Sequence, residues 1–140
     1  RYHTRGHISL SQIQEIDLKL QQAPAHKLKL IAAHQPFYTP PDHSHGVKDC
    51  PMLGRIALEQ WSQHGLNGLL HGHLHHAAVY DLNQIYQLGV SHPVLDIHAG
   101  TATSYRLHAG LPNSLNIILP NADVQHLSFN AETNHFELMQ

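Results

Sequence analysis

The chain has 140 residues, of which 41% are apolar and 13% charged, and its net charge is −2 with the histidines neutral. Those values suit one globular domain and exclude a disordered chain. They give no general attraction to nucleic acid or anionic lipid, and no apolar run approaches the roughly 20 residues of a membrane helix.

Cys50 is the single cysteine, so no intrachain disulfide can form and the expected compartment is the cytoplasm. Histidine is the over-represented residue, at 16 positions. Many of these side chains would charge in mild acid.

Ser9 and Gln12 have the spacing of a capping box that opens a helix. Ile13, Ile16 and Leu20 follow at helical spacing, and Pro24 ends the run. The segment "LKLIAA", residues 28–33, reads as a buried strand with His34 just past its carboxyl end. Residues 35–51 have no clear period and hold three prolines before Asp42. A loop of that length in a compact domain is usually functional or mobile. Its stretch "PPDHSHG" places Asp42, His43 and His45 in a solvated turn or in a lid over a site.

Leu53, Ile56, Ala57 and Trp61 mark a second helix, with Gly65 as its stop. "GLLHGHLHH" then reads as a short strand running into a turn at Gly72. "AAVYDL", "VLDIHA", "LNIILP" and "VQHLSF" read as further strands, and their short connections predict an antiparallel or mixed arrangement. There is no internal repeat and no second-domain boundary.

Neutral imidazole is a good ligand for divalent transition metals. Two histidines at i and i+2 in extended chain point the same way, so His73 and His75 can reach one site or two adjacent metals. His71 shares their side only if the strand stays straight through Gly72, and His76 points away. The plain alternative is a histidine-rich surface turn. If the two predicted strands are neighbours, their carboxyl ends also bring His34 to the same place, the edge where open α/β sheets gather ligands.

"LIAAHQP" followed by "LLHGHLH" resembles the carboxyl half of the calcineurin-like metallophosphoesterases, in particular the bacterial cyclic-nucleotide phosphodiesterase-like members. The helix before "LKLIAAH" and the stretch "AGTATSYRLHAGLPNSLNII" add to the likeness, which covers nearly all of residues 1–140. The resemblance implies an α/β fold, the carboxyl half of a four-layer α/β/β/α sandwich with a mixed sheet. It implies that His34 and His73 bind the second metal and His75 the first. Two divalent ions, manganese, iron or zinc, would hold a hydroxide that attacks a small-molecule phosphate ester in line.

The family's amino-terminal motifs are Asp-x-His, Gly-Asp-x-x-Asp and Gly-Asn-His-Asp/Glu. None precedes His34, and no Gly-Asp pair occurs in the chain. The expectation is therefore part of a metal site, no catalytic residue of its own, an inactive isolated chain, and a missing amino-terminal half as its partner. "VLDIHAG" contains Asp96 and His98 in an Asp-x-His pattern, and "ETNHFE" contains Asn134 and His135. They would fill the missing roles only in a circular permutation. The alternation of "VLDIHA" also suits an ordinary half-buried strand.

Two other functional classes compete. One is a non-catalytic, histidine-rich metal-binding module. The other is a cupin-like jelly roll, which fits less well because two helices precede the strands.

Overall fold

The computed structural model describes residues 6–41, 49–105, 107 and 110–139. The capping box at Ser9 forms as the spacing predicts: Gln12 N–H donates to Ser9 Oγ at 3.2 Å, and Ser9 N–H donates to Gln12 Oε1 at 2.9 Å. It opens helix α1, Leu10–Gln22. Two donors that a helix start would otherwise leave unpaired are thereby satisfied. Ser9→Ala should lower stability by about 1 kcal/mol in chemical denaturation.

The remaining elements are β1 (Leu30–Ala32), α2 (Gly54–Ser62), β2 (Gly68–His71), β3 (Ala78–Asp81), α3 (Leu82–Tyr86), β4 (Leu95–His98), β5 (Ser114–Ile118), β6 (Val124–Asn130) and β7 (His135–Leu138). The architecture is mixed α/β. One sheet has the order β1-β2-β4-β3, with β1, β2 and β4 parallel and β3 antiparallel to β4. The second sheet, β5-β6-β7, is antiparallel throughout. Among the described residues no helix is long and apolar enough to cross a membrane.

Strand alternation assigns the faces of the first sheet. Leu69 pairs with Asp96 and His71 with His98, so all four side chains share one face. That face meets the core, where Ile13 and Leu20 of α1, Ala57, Leu58 and Trp61 of α2, and Leu69 of β2 are buried together. Trp61 is fully buried, donates its indole N–H to Ile13 O at 3.0 Å, and lies against Phe37. The opposite face presents Leu70 and Ile97, which with Leu115 and Ile118 line a groove of about 440 Å³. Gly100, just after β4, allows the chain to pass close to β5: a Cβ there would sit 1.8 Å from Ser114 Oγ.

Two elements differ from the sequence expectation. The predicted "AAVYDL" strand ends at Asp81, whose carboxylate accepts from Asn83 N–H at 2.9 Å and starts α3. Strand β7 has all four residues exposed, so it lacks the apolar alternation that would reveal it. Asn134, in the left-handed region at φ 55°, precedes His135 in the β6–β7 connection, so this pair serves a hairpin.

Candidate metal centre

Parallel β1 and β2 end side by side, and the ladder continues one step further as Ala33 N–H donates to Leu70 O at 2.9 Å. This brings His34 and His73 together. His34 Nε2 lies 3.4 Å from His73 Nδ1, and the rings meet edge to face with centroids 5.2 Å apart. A 3.4 Å separation is long for a good hydrogen bond. It suits two nitrogens that share one ion, each at about 2.1 Å from it.

Asp49, in the segment between β1 and α2, is buried and places Oδ2 3.5 Å from His73 Nε2. Sequence reasoning did not single it out, because one aspartate late in an irregular segment has no distinguishing spacing. Asp42, His43 and His45 lie outside the described residues.

His73 and His75 do not project from an extended strand, contrary to the i, i+2 expectation. Strand β2 ends at His71, and both later histidines have left-handed backbones, with φ of 63° and 55°. Leu74 N–H donates to Gly72 O at 2.7 Å, closing a three-residue turn around His73. Left-handed backbone at a non-glycine residue costs on the order of 1 kcal/mol and tends to persist at functional sites. Gly72 is not where the positive φ falls. His75 is exposed, and its Nδ1 lies 2.9 Å from Thr101 Oγ1. Thr101 is itself held in place by Asn113, whose amide donates to Thr101 O at 2.8 Å and Ser104 O at 3.1 Å.

Behind this loop is a second group. His71, expected beside His73 and His75 only if the strand stayed straight through Gly72, is instead buried beside Asp96 and His98. His71 Nε2 lies 3.0 Å from Asp96 Oδ1, and His98 Nε2 lies 2.9 Å from Asp96 Oδ2. One donor atom from each of the three residues falls within 4.8 Å of the others, so the group could hold a metal ion. Among the described residues it is the one cluster of three or more such side chains. Asp96 and His98 are 0% exposed, where the alternation of "VLDIHA" suggested a half-buried strand. An acidic residue in a two-residue period looks solvent-facing from sequence; here both faces of β4 are covered.

Burial pushes the Asp96 carboxyl upward, but the imidazoles of His71 and His98 together hold it below its ordinary range. Burial, aided by the neighbouring His71 and His76, pushes His98 below the usual imidazole range against the opposing pull of Asp96. Both folded-state values are therefore depressed. At pH values below about 6.5 an unfolded chain binds a proton at His98 that the folded chain resists, so stability falls on acidification. Asp96 adds a further loss below its ordinary carboxylate value. The thermal midpoint should drop between about pH 7.5 and pH 5, and the drop should shrink in His98→Gln.

Several other histidines have structural partners. His92 Nε2–H donates to Leu66 O at 3.1 Å, and His126 Nδ1–H donates to Asn116 Oδ1 at 2.7 Å. His64 contacts Gln21 and Asp17. No protein-family model matches the sequence, and no curated protein matches it.

Proposed function

We propose that the chain is the carboxyl-terminal part of a dinuclear-metal phosphoester hydrolase of calcineurin-like type, with the four-layer α/β/β/α sandwich completed by an amino-terminal half. The supporting observation is the meeting of His34 and His73 at the ends of adjacent parallel strands, with Asp49 beside His73. His34 and His73 would hold one ion. His75, steadied by Thr101, would serve the other.

The donor set fits manganese, iron or zinc, because imidazole and carboxylate accept all three. When bound, such ions supply charge neutralisation at phosphoryl oxygens and a nucleophile at neutral pH. The contribution of this chain is to fix ligand position. The γ-like turn aims His73, and burial restrains Asp49. A groove of about 470 Å³ beside His34, lined by Ile8, Ile16, Ala33 and Phe37 together with Gln12, Glu15 and Gln35, would receive further protein. The substrate class is a small phosphate ester, a diester in keeping with the family likeness.

An extended chain that carries Asp-x-His, Gly-Asp-x-x-Asp and Gly-Asn-His-Asp/Glu on its amino-terminal side should hydrolyse bis(p-nitrophenyl) phosphate with added manganese. The 140-residue chain should not. Equal turnover by the short chain would contradict this division of the site. Absence of turnover in the extended chain, with metal bound at His34 and His73, would favour a non-catalytic metal-binding module.

A further inference from the structure

We propose that His71, Asp96 and His98 form a buried site for a single zinc-class divalent ion, distinct from the one at His34 and His73. The strongest sign is the contact between His71 and Asp96. Their facing atoms are 3.0 Å apart, yet they lack hydrogen-bond alignment, and neither His71 Nε2 nor Asp96 Oδ1 has another hydrogen-bond partner. His71 Nδ1 lies 3.4 Å from Gly72 O, long for a hydrogen bond, so no short bond fixes the ring proton. When the proton sits on Nδ1, the Nε2 lone pair faces a carboxylate oxygen. Two acceptors in contact inside a dry core repel, and a buried polar atom without a partner is costly. A cation between them turns both lone pairs into ligands.

Ligands about 2.1 Å from a tetrahedral ion are about 3.4 Å apart. The two N···O separations here are 3.0 and 2.9 Å, so each pair opens by roughly half an ångström to admit an ion. A backbone carbonyl facing the second ring nitrogen, as Gly72 O faces His71 Nδ1, is also the outer contact that a ligating histidine usually makes.

Charge gives the same answer. Among the described residues, the polar partners of the Asp96 carboxylate are these two imidazoles, and no lysine or arginine offsets it. An uncompensated buried carboxylate is destabilising, and a divalent ion compensates it. Tyr80 closes the site, with its ring centroid 5.1 Å from that of His98. The ion would tie the end of β2 to β4, directly before the turn that presents His73. Because the three side chains are enclosed, exchange requires local opening and should be slow.

The test uses the chain with His34→Ala and His73→Ala, which removes the other candidate pair. The protein is refolded with zinc, exposed to a chelator under native conditions, and its retained zinc is counted. About one zinc per chain should remain, and at least about tenfold less after the further change Asp96→Asn. Retention below about a tenth of an ion, or retention unchanged by Asp96→Asn, would overturn the proposal.

If Asp96→Asn fails to fold, cobalt(II) in the chain with Asp96 intact decides the matter. Tyr80 ring protons should show large paramagnetic shifts, and unshifted Tyr80 resonances overturn the site. The inference is independent of the phosphoesterase reading, which turns on His34 and His73.

Discussion

His73→Ala should lower the affinity of the chain for manganese or zinc by about 100-fold, and His34→Ala by a similar factor. His76→Ala should stay near the parent value. The reason is geometric. His34 and His73 face each other at 3.4 Å from two different strand ends, so each supplies a ligand that the other's strand cannot replace. Titration calorimetry on the folded variants measures this. Equal losses for all three changes would mean that the histidines bind metal as a loose surface run. His73→Gly should lose the same affinity while relaxing the left-handed backbone at φ 63°, which alanine, with its Cβ, does not do.

Trp61→Ala should destabilise the fold by about 3–5 kcal/mol in chemical denaturation. Trp61 is fully buried, touches Phe37, and holds α1 to α2 through the bond from its indole to Ile13 O. Truncation opens a large cavity and removes the indole bond that ties α2 to α1. Total stabilities of domains are commonly about 5–15 kcal/mol, so this one change removes a large part. The effect reaches the site, because α2 connects β1 to β2 and its packing sets how their ends align. A loss under about 1 kcal/mol would show that the core does not centre on Trp61.

Part of this arrangement was legible in the residues. Ser9 and Gln12 announced α1, and apolar spacing to Trp61 announced α2. A helix between two short apolar runs is the pattern of parallel neighbours, and that alone brings His34 toward His73. The hidden parts have physical causes. Placing β4 between β2 and β3 depends on long-range pairing that no local pattern encodes. Asp96 and His98 read as the polar positions of an alternating strand, because sequence does not show that helices cover that face. The left-handed backbones of His73 and His75 were invisible too, since the neighbouring Gly72 drew the expectation of a turn to itself. Asp49 became visible only when the fold placed it beside His73.

The central claim is that His34 and His73 share one metal ion. Anomalous diffraction from crystals of the chain grown with manganese or zinc tests it most directly. The account predicts a peak about 2.0–2.2 Å from His34 Nε2 and from His73 Nδ1, with Asp49 against the other ring nitrogen of His73. Ordered metal bound elsewhere, with His34 and His73 keeping their direct contact, would contradict it.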